Sequence, residues 1–397
     1  MTDFHHGLPE NGRRPDGRPA PPALGGPRRR ALFAAAAAVA ALAALATGCS
    51  AGPGYVIEGS DLAEVVERRG LDPAEVPHPF AVDEEMRAWL ASTVPANRSL
   101  DRRLDRLLAA LVSADGRHVR YGRGRTGTAR EVFETGRANC LGFTGLFVAL
   151  ARELGVPAYF VWVDEVESYA ERDDLLVLSN HVTAGVGPHH DLRILELGGI
   201  GDVEYRSLQR ISDLTAIALF YSNRGAELLQ GGDVAASRQA LETAVAIDPE
   251  LPTAWVNLGV TRRRSGDAAG AEAAYRRALE LDPGQVSAYQ NLATLMRVRG
   301  EREAAGELLA AIPKLGSRNP YSYLHLGDWA MGRGDYEQAA RWYRKALRLR
   351  RDAPEPRAAL GSLALATGDR AAAERWLARA RRLDPDAPRV RALAGKL

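Results

Sequence analysis

Glycine recurs every 34 residues through the second half of the chain, at Gly232, Gly266, Gly300, Gly334 and Gly368. A fixed period of this length confines the segment to a stacked array of like units. Small residues keep the same period. Gly225, Gly259, Ala293, Gly327 and Gly361 each precede a repeat glycine by the same interval. Ser237, Ala271, Ala305, Ala339 and Ala373 follow at a second fixed interval, and Ala244, Ala278, Ile312, Ala346 and Ala380 at a third. Two helices per unit that cross closely need small side chains where their backbones meet. They also need a glycine at the turn and a stop after the second helix. Pro249, Pro283 and Pro385 supply that stop in three units.

The pattern resembles the tetratricopeptide repeat (TPR). Trp255, Leu258, Gly259, Ala271, Tyr275, Ala278 and Pro283 carry it best, and five units cover residues 218–387. The third unit departs at Ile312 and Ser317, so its second helix is expected to end early at Pro313. Residues 388–397 read as a short capping helix. The resemblance implies an all-α solenoid that binds a protein or peptide on its concave face. Asn223, Asn257 and Asn291 recur on the first helices as candidate partners for a peptide backbone. Arg262, Arg263, Arg264, Arg297 and Arg299 are candidates for a basic groove, against the alternative of a solvated helix face.

Residues 76–205 differ in composition, with more aromatic and β-branched runs. Helices are expected over 83–93 and 100–113, the second from the spacing of Leu104, Leu107, Leu108 and Leu111. Residues 114–129 read as a Gly- and Arg-rich loop, with Arg117, Arg120, Arg123, Arg125 and Arg130 either rimming a cleft or solvated. Phe143, Leu146, Phe147, Leu150 and Leu154 then repeat at helical spacing up to Gly155 and Pro157. Cys140 falls in the first turn of that helix, where unpaired N–H groups and the helix dipole stabilise a thiolate. A nucleophilic thiol needs a base, and the base needs an orienting group. His181 opens a β-like run that turns near residues 188–189 and returns over 192–197. Such a hairpin puts His181 opposite residue 196 or 197, which makes Glu196 the orienting carboxylate and Asp191 the alternative. A cysteine on an apolar helix is otherwise ordinary core.

The arrangement resembles the transglutaminase-like superfamily, whose core shares the papain-type helix and strand. The residues that carry it are Gly136-Arg137-Ala138-Asn139-Cys140, the run from Leu146 to Ala158, and His181-Val182. It implies an α+β domain in which Cys140 is nucleophile and His181 general base. Glu196 stands where the family has Asp. The chemistry implied is acyl transfer, either hydrolysis of an amide or transfer to an amine. An idle docking module on the same fold is the alternative.

The first 48 residues read as an address. Arg28-Arg29-Arg30 precedes an uncharged, mostly Ala and Leu run over 31–47, the order of a secretory signal. Leu45-Ala46-Thr47-Gly48-Cys49 resembles the bacterial lipobox, which implies lipidation of Cys49 and a membrane anchor. Ser50 follows where inner-membrane retention uses Asp, so the periplasmic face of the outer membrane is the expected location. Residues 49–75 read as a loose tether and 206–217 as a connection. Removing the leader leaves 46 basic and 47 acidic residues. That balance provides no global field for nucleic acid. No cofactor is expected, since no phosphate-binding glycine loop follows a strand. A metal among Cys140, His181, His189 and His190 lacks zinc-type spacing.

Overall fold

A computed structural model describes residues 59–95, 97–122, 124–172, 175–187, 193–195 and 208–397, with backbone alone for 59–61 and 164–181. The α/β half runs α1 (Gly59–Arg68), α2 (Glu84–Thr93), α3 (Leu100–Val112), β1 (Arg120–Tyr121), α4 (Ala129–Thr135), β2 (Arg137–Ala138) and α5 (Cys140–Glu153). It continues as β3 (Ala158–Arg172), β4 (Leu175–Val186), β5 (Arg193–Leu195) and β6 (Leu208–Ile211). The sheet is antiparallel in the order β5-β4-β3-β6. A two-residue parallel pair, β1 with β2, stands immediately before α5.

Local sequence sets these elements. Asp83 caps α2 by accepting the Met86 N–H, and Thr128 and Glu131 close a reciprocal capping box on α4. Asn139 caps α5, and Gly155 ends its turn at a φ of +73°, a conformation that favours glycine. The helix α5 is apolar around most of its circumference: Leu141, Phe143, Leu146, Phe147, Val148, Leu150 and Ala151 are all buried. A helix of that kind must be covered on several sides. Ala158 and Phe160 of β3, paired with Val186 and Ala184 of β4, share one sheet face and join its core. Phe80 lies tilted against Phe160 at 5.2 Å and meets Phe220 edge-on at 5.9 Å. A Cβ at Gly145 would lie 2.2 Å from the Phe80 ring, so this position of α5 admits only glycine.

The repeat half comprises α6 (Asp213–Gln230), α7 (Val234–Ile247), α8 (Pro252–Arg264), α9 (Ala268–Leu281), α10 (Val286–Val298) and α11 (Arg302–Ala311). It ends with α12 (Pro320–Gly332), α13 (Tyr336–Leu349), α14 (Glu355–Ala366), α15 (Arg370–Arg381) and α16 (Pro388–Ala394). All five repeat glycines have positive φ, between +76° and +88°. The small residues sit at helix crossings: a Cβ at Gly259 would lie 2.4 Å from the Tyr275 ring. The first helices of successive units pack against each other into one continuous wall. Helix α11 does end early, giving way to a 3-10 turn at Ile312–Leu315. Leu393 of α16 packs over Gly361, so the last helix closes the array.

Six expectations change. Residues 59–75 are not all tether, because Leu62 and Val66 of α1 are buried in the α/β core. The 114–129 segment contains β1, and β4 begins at Leu175, well before the expected start at His181. The pairs Ala184↔Leu195 and Val186↔Arg193 centre the β4–β5 hairpin between residues 189 and 190. That register is one to two residues away from the one that sets His181 opposite 196 or 197. Residues 208–211 are a sheet strand rather than part of a connection, pairing with β3. Finally, the first repeat helix starts at Asp213, ahead of 218, and its early residues belong to the α/β core.

Half-buried His78 ties this core to pH. Its Nδ1 accepts the Phe80 N–H at 3.1 Å. Burial holds its imidazole below the ordinary 6.5, with Asp213 raising it in part. The folded chain therefore resists a proton that the unfolded chain accepts, and stability falls as pH drops below about 6.5. The urea midpoint should decline between about pH 7 and pH 5. In His78→Asn, which keeps an acceptor for the Phe80 N–H, this decline should be smaller.

Candidate active site

Cys140 is the first residue of α5 and is half-buried. The Asn139 side chain accepts the Gly142 N–H at 2.9 Å. That leaves the N–H groups of Cys140 and Leu141, which lie against the sulfur together with the N–H of Val182. Helix termini provide such unpaired donors, and donors directed at a sulfur favour its thiolate. Burial acts against them and is the larger effect, so the thiol is pushed up from its ordinary value. The helix N-terminus alone does not make Cys140 a preformed thiolate, contrary to the sequence expectation.

The sheet approaches the thiol at one residue. Val182 turns its N–H to Cys140, and its carbonyl accepts the buried Thr144 hydroxyl at 3.2 Å. The first turns of α5 thus hold both polar groups of Val182. His181 is the preceding residue of β4, paired with Val163 on β3. Thr183, next along, donates its hydroxyl to the Leu195 carbonyl at 2.7 Å and ties β4 to β5. His181 is thus the residue before the β4 position that meets the thiol. The His181 side chain, Glu196, Asp191, His189, His190 and Cys49 lie outside the described residues, as does the whole leader.

Other sequence candidates have partners of their own. Arg130 binds Asp83, Glu85 and Glu134, and Arg125 binds Glu131. Arg117 lies over the Phe133 ring at 3.6 Å, and Arg120 donates to His118 at 2.6 Å. These contacts give four of the five arginines partners within the domain, and Arg123 lies outside the described residues. On the repeats, Asn257 donates to Ser222 at 3.0 Å, and buried Asn291 donates to the Ser287 carbonyl at 2.9 Å. Asn223 is half-buried and Arg297 exposed. Arg263 lies beside the Tyr275 hydroxyl, while Arg262 and Arg299 pair with Glu242 and Glu272.

Family profiles match both halves. The transglutaminase-like superfamily profile covers residues 96–186, and tetratricopeptide-repeat profiles cover 223–286, 262–324 and 330–397. The chain joins a transglutaminase-like domain to a TPR array. No curated protein matches the sequence. Among solved structures, a thermophilic TPR protein of Thermus thermophilus is 23% identical, with 45% of this chain covering 97% of that one at a TM-score of 0.39. A MamA segment from Desulfovibrio magneticus is 18% identical over 43% of this chain and 97% of its own, at a TM-score of 0.36. YrrB, described as a TPR protein with an unusual peptide-binding site, is 17% identical over 45% and 92%, at 0.35.

Within the transglutaminase-like domain, the sequence reading missed what fixes Cys140 from behind. Asn139 before an apolar helix is a legible cap signal. Its further partners, Thr126 and through it Glu227 of the TPR array, are not, since Glu227 lies 101 residues from Thr126. Among the described residues, no group of three or more His, Cys, Asp or Glu side chains forms a metal site. No described helix is long and apolar enough to cross a membrane.

Proposed function

We propose that this chain is an envelope-anchored acyl-transfer enzyme of the cysteine peptidase or amidase type, whose TPR array holds a protein substrate or partner. The observation that carries the reading is the meeting of the α5 N-terminus with β4. The Cys140 sulfur lies against the N–H of Val182, the residue after His181. In this reading His181 takes the thiol proton, and the sulfur forms a bond to an amide carbonyl carbon. The N–H groups of Cys140 and Leu141 receive the developing oxyanion. The C–N bond breaks, and the proton held by His181 leaves with the amine. Water, deprotonated by the same imidazole, cleaves the thioester and restores the thiol. A carboxylate at Glu196, or at Asp191 as the alternative, orients His181. Because burial raises the Cys140 thiol, proton transfer to the base accompanies attack rather than preceding it.

That raised thiol also favours a second reading, a scaffold in which the same fold is catalytically idle. Iodoacetamide labelling of Cys140 against pH, read on its own tryptic peptide, separates the two. The enzyme reading expects labelling that begins near the ordinary imidazole pKa of about 6.5 and loses that component in His181→Ala. A single rise near or above pH 8.5, identical in both proteins, leaves the scaffold.

Anchoring belongs to the same proposal. The apolar run before Cys49 supports export, and the small residues around it support lipidation. Cells fed a radiolabelled fatty acid should mark the wild-type chain in the membrane fraction. Cys49→Ala should lose both the label and the membrane association; equal labelling of both proteins would remove the anchor from the account.

A further inference from the structure

The Asn139 cap does not end at Asn139. Its Nδ2 donates to the Thr126 hydroxyl oxygen at 2.7 Å. Thr126, fully buried, donates that hydroxyl to Glu227 Oε1 at 2.7 Å and its backbone N–H to the same oxygen at 2.7 Å. Glu227 lies near the end of α6, the first helix of the TPR array, where Arg224 approaches its other oxygen at 3.3 Å.

The order of donors is forced by chemistry. An ionised carboxylate only accepts, so the Thr126 hydroxyl must point its proton at Glu227. Its oxygen is then an acceptor for Asn139, which must present its NH2 to Thr126. The amide oxygen of Asn139 is left facing the Gly142 N–H, the capping orientation. Without the carboxylate, the hydroxyl could turn its proton elsewhere, and only the Gly142 N–H would distinguish the two ends of the amide. A charged acceptor also strengthens the bonds in series behind it.

We infer that Glu227 is a positioning residue for Cys140, acting through Thr126 and Asn139, so that the first repeat of the array sets the geometry of the nucleophile's helix terminus. The inference rests on the proposed role of Cys140 and adds a link to it: a partner that displaces the end of α6 also displaces the cap of α5. The N–H groups at the sulfur and at the expected oxyanion position belong to the turn that this cap holds.

The test uses the full chain with Glu227→Ala, Glu227→Gln and Thr126→Val. Two readouts are taken: amide exchange across residues 139–145 and the pH profile of Cys140 labelling. Thr126→Val is nearly isosteric and keeps the protein folded if Glu227→Ala does not. In both Glu227→Ala and Thr126→Val the Gly142 amide should exchange about tenfold faster. The labelling midpoint should move up by about half a pH unit as the donors at the sulfur loosen. Glu227→Gln, whose amide oxygen still accepts from Thr126, should recover most of both. Wild-type exchange and labelling in Glu227→Ala and Thr126→Val would overturn the inference. So would a labelling shift with no change at Gly142. Faster exchange alongside a wild-type thiol that labels as an ordinary cysteine would keep the structural link and remove the enzyme reading instead.

Discussion

The structure depends on how α5 is clamped against α6. The two helices run antiparallel, and each end is fastened. At one end Arg152 of α5 makes a two-pronged ion pair with Asp213 of α6, at 2.6 and 2.9 Å, while its Nε donates to the Ala158 carbonyl. Asp213 is 4% exposed in its side chain, so removing either partner would strand a buried charge. At the other end stand Asn139, Thr126 and Glu227. Between them Phe80 touches Phe160 of the sheet and Phe220 of α6, and occupies the space left by Gly145. Tyr221 adds a bond from its hydroxyl to the Pro77 carbonyl at 2.7 Å.

This clamp makes the division into two domains softer than the sequence suggests. One apolar core runs from Leu62 of α1 through α5 and the sheet to Ala244 and Ala254 of the first two repeats. A second core begins at Leu229 and extends to Leu363. The first repeat therefore serves two neighbours: it completes the cover over α5, and it starts the stack of helix pairs. A solenoid needs its terminal units capped. Here the transglutaminase-like domain caps one end and α16 the other.

What was legible in the sequence is what depends on local rules. The period of Gly232 to Gly368 is legible because a tight turn needs positive φ and a close crossing needs a small side chain. The helix that Cys140 opens is legible because Asn139, an apolar run and Gly155 mark its ends. The early end of α11 at Pro313 follows from the missing proline N–H. The less legible features depend on contacts distant in sequence. Nothing near Thr126 announces Glu227, and nothing near Arg152 announces Asp213. The hairpin register differed because it is set by pairing along both strands rather than by the Gly187-Pro188 turn signal. The thiol was misjudged because a helix terminus is local, whereas the burial that opposes it arises only in the packed fold.

Clamped in this way, α5 and α6 form one cooperative unit across the domain boundary. Native-state amide exchange at increasing urea, read helix by helix in the wild-type chain, tests it most directly. Helices α5 and α6 should converge on one opening free energy and one urea dependence, while α14 and α15 at the far end of the array open at lower urea. If α6 instead opens with α14 and α15 while α5 stays protected, the two halves are independent, and the clamp does not hold the cysteine helix.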